Sequence, residues 1–109
     1  MSEEQTTTEQ ALADNQFRVR DVPTQGGLVV ADVVAVFAVE GKLCATQARC
    51  THKGGPLSEG TVEGHVLTCP WHGAQFDLRT GEVLRGPATQ PLEVYSIEVS
   101  GEVAELDAG

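Results

Sequence analysis

From Phe17 onward, apolar and polar positions follow one another in short runs with a period near two, and turn residues break each run. Residues 17–22 (Phe17-Arg18-Val19-Arg20-Asp21-Val22) alternate, which predicts a half-buried strand, and Pro23-Thr24-Gln25-Gly26-Gly27 ends it. Residues 28–31 and 33–39 are apolar, β-branched runs of strand length. Glu40-Gly41-Lys42 predicts a tight turn, and 43–46 returns as a further strand. Val62 and 66–68 flank a hairpin tip at Glu63-Gly64-His65. Residues 75–78 and 82–84 bracket a second tip at Arg79-Thr80-Gly81. Residues 92–99 alternate through Leu92, Val94, Tyr95, Ile97 and Val99, Ser100-Gly101 turns, and 102–106 closes the sheet. No helical period appears after Phe17, so the pattern predicts an all-β domain of about eight to ten short strands.

Residues 1–16 break this pattern. They hold Glu3, Glu4, Glu9 and Asp14 with no Lys or Arg, which predicts a flexible acidic tail. A short helix around 8–14 would be marginal on its own. The rest, residues 17–109, has the size of one small domain with a modest core. The N-terminus has no basic region followed by an apolar run, and no stretch is long enough to span a membrane. A cytoplasmic, monomeric protein is expected. The formal charge is −9, from 16 carboxylates against 7 basic side chains. That excludes a nucleic-acid partner, since phosphates need basic residues to neutralise them. It permits electrostatic docking on a basic protein partner, with acidic residues around the site of docking.

The chemistry concentrates between Cys50 and His72. Cys50-Thr51-His52 is followed, after sixteen residues, by Cys69-Pro70-Trp71-His72. The intervening Gly54, Gly55, Pro56, Gly60 and Gly64 are loop and hairpin residues. Two loops, each carrying one Cys and one His, can therefore converge on one metal centre. Zinc accepts a Cys₂His₂ shell. Zinc motifs more often group like ligands, whereas both pairs here are mixed. A 2Fe–2S cluster with two Cys on one iron and two His on the other draws one of each from each loop. The third Cys, Cys44, sits mid-strand and reads as a packed core thiol. His65 lies outside both pairs and reads as a surface turn residue.

The pattern C-x-H, this gap, then C-x-x-H resembles the signature of the Rieske family. The flanks resemble it too: Gly54-Gly55-Pro56-Leu57, Cys69-Pro70-Trp71-His72-Gly73, Phe76-Asp77 with Thr80-Gly81, and Gly86-Pro87-Ala88, similar to the family's proline loop. The likeness runs from about Phe17 to Asp107. It implies a Rieske-type antiparallel β-sandwich or barrel base with an inserted cluster-binding subdomain of two loops, at about residues 46–86. It implies one Rieske-type 2Fe–2S cluster, with Cys50 and Cys69 on the inner iron and His52 and His72 on the outer, solvent-facing iron.

Departures from one branch of the family narrow the reading. The cytochrome-complex Rieske proteins carry an extra Cys in each loop, joined as a disulfide; the matching positions here are Gly55 and Trp71. They also place a Ser and a Tyr whose hydroxyls bond sulfur, where this chain has Ala74 and Phe76. The chain looks instead like the soluble Rieske ferredoxins of bacterial multicomponent ring-hydroxylating oxygenases, with Trp71 shielding the cluster or packing in the core. No G-x-G-x-x-G follows a strand, so no Rossmann site for nicotinamide or flavin is present. No second His–His–carboxylate set remains for a mononuclear iron. The resemblance then implies an electron carrier rather than an enzyme. It would pass one electron from a flavin-dependent reductase to a terminal oxygenase, docking transiently at the cluster tip. Alternatives are the small subunit of an assimilatory nitrite reductase and a non-redox zinc interaction module.

Overall fold

The computed structural model describes residues 12–51, 54–71, 73–86 and 90–107. Among the described residues, ten strands arrange in two sheets. They are β1 (Gln16–Arg18), β2 (Gly27–Val30), β3 (Val34–Val39), β4 (Lys42–Gln47), β5 (Thr61–Glu63), β6 (Val66–Thr68), β7 (Gln75–Asp77), β8 (Val83–Arg85), β9 (Val94–Ser100) and β10 (Val103–Asp107). Six form one sheet in the order β1-β10-β9-β4-β3-β2, and the other four run β5-β6-β7-β8. Every pairing is antiparallel. The chain leaves the six-stranded sheet after β4, builds the small sheet as a four-stranded meander, and re-enters through β9.

The apolar run of β3 explains its place. Val34, Ala35, Val36, Phe37 and Val39 are all buried, because β3 lies inside the sheet with side chains covered on both faces. Its odd and even residues feed different clusters. Ala35, Phe37 and Val39 join Leu57, Leu67, Phe76 and Leu78 beneath the cysteine loops. Val34 and Val36 join Phe17, Ala45, Ala104 and Leu106. One strand thus welds the base sheet to the small sheet through a shared core.

The tight turn expected at Glu40-Gly41 is present. Val39 pairs with Lys42, and both turn residues have positive φ, as a two-residue hairpin of primed type requires. The link from β2 to β3 differs from expectation. Ala31 (φ 56°) and Asp32 (φ 63°) make the turn, so Ala31 belongs to no strand and Val33 stands exposed outside β3.

The strand expected over 17–22 is also shorter. β1 stops at Arg18, and Val19–Asp21 form a single 3₁₀ turn. The reason is the partner. β1 pairs with β10 only as far as Arg18 opposite Val103, where β10 begins, and the Val19 N–H then bonds the Glu102 carbonyl at 2.9 Å. At the other end Gln16 pairs with Glu105, and the Asn15 carbonyl accepts the Leu106 N–H at 2.9 Å. The last residues of the expected tail therefore belong to the sheet; residues 1–11, with most of the marginal helix, lie outside the described residues.

In β9 the alternation holds with a different split. Tyr95 and Ile97 pack on the core, while Val94 and Val99 are exposed. Leu92 is buried but precedes the strand. Its N–H bonds the Gly81 carbonyl at 2.8 Å, and a Cβ on Gly81 (φ +84°) would collide with the Leu92 carbonyl. Only glycine lets the β7–β8 turn lie against the returning chain there.

Candidate metal centre

Two loops meet at one end of the molecule. The first leaves β4 and is pinched by a bridge between Arg49 and Pro56. Within it the Cys50 N–H bonds the Gly55 carbonyl and the Gly54 N–H bonds the Cys50 carbonyl, each at 2.9 Å. Leu57–Glu59 then form one 3₁₀ turn that drives Leu57 fully into the core. The second loop is the tip of the β6–β7 hairpin. Thr68 pairs with Gln75, and the Cys69 N–H bonds the Ala74 carbonyl at 2.8 Å. Gly73, at φ +77°, turns the tip.

These closures turn both cysteines inward. Cys50 is 5% exposed and Cys69 is 1% exposed. The two face one another across the loop junction and are not joined as a disulfide. Burial pushes the Cys69 thiol up. The Trp71 backbone N–H, donating to its sulfur, acts the other way, and the neighbouring Cys50 adds to the rise. A buried thiol raised in this way disfavours the bare thiolate, so a cationic group at this place would be needed to hold the sulfur in its negative form. His52 and His72, the other two expected ligands, lie outside the described residues, as do Pro87 and Ala88 of the expected proline loop.

Gly55 and Trp71 touch. A Cβ on Gly55 would stand 3.0 Å from Trp71 Cγ and 3.0 Å from Cys69 Sγ. The two positions that carry a disulfide in the cytochrome-complex branch are here joined by packing of an indole on a bare backbone. Trp71 is 47% exposed, so of its two expected roles the core one does not hold. It lies over the loop junction with one face in water. Ala74 and Phe76 are both fully buried and offer no hydroxyl to the sulfurs.

Three contacts around the site had no sequence signal of their own. The Thr51 hydroxyl donates to the Gln90 carbonyl at 2.8 Å, tying the first loop to the segment that follows Gly86-Pro87-Ala88. Gln25 grips the edge strand β5: its Nε2 donates to the Val62 carbonyl at 3.1 Å and its Oε1 accepts the Val62 N–H at 2.5 Å. Behind the small sheet, the buried Asp77 carboxylate accepts Arg79 Nε at 3.1 Å and Nη2 at 3.0 Å. His65 is at the hairpin tip as expected, but its Nε2 lies 3.8 Å from Asp77 Oδ2. Arg79 holds the Asp77 carboxyl below its ordinary range, with a smaller pull from His65. Cys44 packs against the core and is half-buried; burial and the Asp77 carboxylate push its thiol up.

Comparison with known proteins fits this geometry. Residues 7–96 match the Rieske [2Fe-2S] domain. The chain is 35% identical over 91 residues, 84% of its length and 88% of the relative's, to the ferredoxin component of the naphthalene 1,2-dioxygenase system of Pseudomonas aeruginosa. Its fold superposes on the Sphingomonas yanoikuyae B1 ferredoxin with a TM-score of 0.79 and 27% identity, covering 84% of this chain and 94% of that one. It also superposes, with a TM-score of 0.71 and 34% identity, on a chain in the complex of reduced oxygenase and oxidized ferredoxin of carbazole 1,9a-dioxygenase, covering 83% of this chain and 96% of that one. The chain belongs to the Rieske [2Fe-2S] family, whose members carry one 2Fe–2S cluster. The all-β base with its separate four-stranded sheet is the architecture of those ferredoxins. No described helix is long and apolar enough to cross a membrane.

Proposed function

We propose that this chain is the ferredoxin component of a bacterial ring-hydroxylating dioxygenase system. It is an electron carrier, not the enzyme that transforms the aromatic substrate. It takes one electron from a reductase and delivers it to a terminal oxygenase. The observation that carries this reading is the meeting of Cys50 and Cys69, buried and unbridged, on two loops that each continue to a His. The donor set suits a Rieske cluster: Cys50 and Cys69 hold one iron, His52 and His72 the other. When bound, the cluster supplies a reversible one-electron couple, raised in potential by its two neutral imidazole ligands.

The chain's own residues do the rest. Loop closure at Gly55 and Ala74 fixes both sulfurs. Leu57, Leu67, Phe76 and Leu78 exclude water behind them. Trp71 caps the junction of the loops. Residues 17–109 act as one domain, with about 46–86 as its cluster-binding part. It works in the cytoplasm as a monomer that docks its partners transiently through the cluster end.

Purified protein should be red-brown, with about two irons and two acid-labile sulfides per chain. A zinc module would be colourless. Replacing His52 or His72 with Ala should lose or transform the cluster. An unchanged visible spectrum in both variants would overturn the ligand assignment.

A further inference from the structure

The chain carries −9 overall, yet the stretches next to the two cysteines and the returning segment before β9 are poor in carboxylates. Residues 47–58, 64–76 and 83–92 hold none of the 16 acidic side chains, and their Arg and Lys residues are Arg49, Lys53 and Arg85. Two of these are placed by the structure on the loops and strands next to the one that carries Trp71. Arg49 is exposed and its Nη1 reaches the Gly54 carbonyl at 3.4 Å, next to the Gly55 on which Trp71 lies. Arg85 is exposed on β8 opposite Gln75, one strand away from the hairpin that carries Trp71. Neither guanidinium forms an ion pair among the described residues. Carboxylates border these segments: Glu59 is exposed at the end of the first loop's 3₁₀ turn, and Glu63 and Glu82 are exposed at the ends of the small sheet's strands and turns. Asp32 lines the same hollow as Arg49, with Val29, Ala48, Pro56 and Ser58, without pairing to it. Glu93 follows residues 83–92 and is exposed beside Gln47.

We propose that Arg49 and Arg85 make a basic collar around Trp71, and that this collar takes a redox partner protein with an acidic docking face. The inference rests on the electron-carrier reading and reverses the acidic surround that net charge alone suggests. At about 0.1 M salt, charges more than about 10 Å apart are largely screened, so the collar and not the total decides what a partner meets at contact. Repulsion by the acidic body then turns an acidic partner away from every other face. The collar sets orientation, and the exposed indole supplies the apolar centre that such interfaces use.

The single tryptophan reports the local potential directly. Quenching of Trp71 fluorescence in the holo protein by iodide and by caesium should be compared, each normalised to free N-acetyltryptophanamide, with acrylamide as neutral control. A positive collar predicts that iodide is favoured over caesium by roughly twofold or more at low salt, the preference fading as salt is added. Arg49→Gln with Arg85→Gln should abolish it. A normalised preference for caesium in the wild type would overturn the collar, and so would equal quenching. If Arg49→Gln loses the cluster, Arg85→Gln alone should still lower the preference; no change there would count against the proposal. Oxidation of the reduced protein by ferricyanide gives a second readout. The collar predicts a rate that falls with added salt, whereas an acidic port predicts one that rises. A protein without visible absorption would sink the electron-carrier reading, while a coloured protein that prefers caesium sinks the collar alone.

Discussion

Gly55 is packed directly on Cys69: a Cβ at this position would lie 3.0 Å from the sulfur, and its third neighbour, Trp71 Cδ2, would be at 3.1 Å. The limit is space, because Gly55 is not among the residues with positive φ. Gly55→Ala must therefore push the indole or the sulfur by a few tenths of an ångström. Overpacking of this kind costs about 1–3 kcal/mol. The expected result is a lower melting temperature of the holo protein and a shifted Trp71 emission, measured by calorimetry and fluorescence. Unchanged melting and emission would show that the loops tolerate a methyl between them.

Thr51 links the first loop to Gln90 across 39 positions of sequence. Thr51→Val keeps the shape and removes the donor. The Gln90 carbonyl is at the surface and can turn to water, so the loss should sit near the low end for a hydrogen bond, about 0.5–1 kcal/mol. That corresponds to a few degrees in melting temperature for a domain of this size. Amide exchange at Gln90 and Leu92, the amides that flank Pro91, should quicken in parallel. A Thr51→Val protein with wild-type exchange there would show that the tie does not hold this segment.

Asp77 gives the fold an acid limit. Its carboxyl is held below the ordinary range, chiefly by Arg79, so the unfolded chain binds its proton more readily than the folded one. Its stabilisation is complete above the unfolded carboxylate value of about 3.9 and is lost as pH falls through the lower folded value. Asp77→Asn should lower stability at neutral pH and flatten the acid limb of a stability–pH curve measured by denaturant unfolding. Identical acid limbs in the two proteins would refute this assignment.

Much of this architecture could be read from the residues, and the exceptions have physical causes. The Glu40-Gly41 turn was legible because glycine advertises positive φ; the Ala31-Asp32 turn was not, because Ala31 adopts φ 56° for reasons set by the strands it joins. Alternation over 17–22 was real, but a strand needs a partner, and β10 begins at Val103. The two cysteines were legible from the mixed pairs. The Gln25 clamp on Val62 and the Thr51 tie to Gln90 were not, since a side-chain amide or hydroxyl carries no sign of which distant backbone it will meet. Net charge is silent in the same way: the sum of 16 acidic and 7 basic residues does not tell where the fold exposes Arg49 and Arg85.

The last prediction concerns the reduction potential. A hydrogen bond to cluster sulfur favours the reduced state, because reduction adds negative charge for the donor to stabilise. At Cys69 the Trp71 backbone N–H pulls the thiol down against the larger effect of burial, as a donor near its sulfur does. Ala74 and Phe76, fully buried at the positions where the cytochrome-complex branch has hydroxyls, contribute none. The centre should therefore lie low in the Rieske range, nearer about −150 mV than about +300 mV. The converse can be sized. If each added hydroxyl bond favours the reduced form by about 1 kcal/mol, the shift is roughly 40 mV per bond, at about 59 mV per 1.4 kcal/mol for one electron. Phe76 already fills its place in the core between Leu67 and Val83 on the neighbouring strands, so a tyrosine differs only by the oxygen it must seat. Ala74→Ser with Phe76→Tyr should raise the potential by about 100 mV or somewhat less. Protein-film voltammetry on both proteins measures it. A wild-type potential near the top of the range, or no rise when a structure of the double variant shows both hydroxyls bonded to sulfur, would show that side-chain donors do not set the potential here.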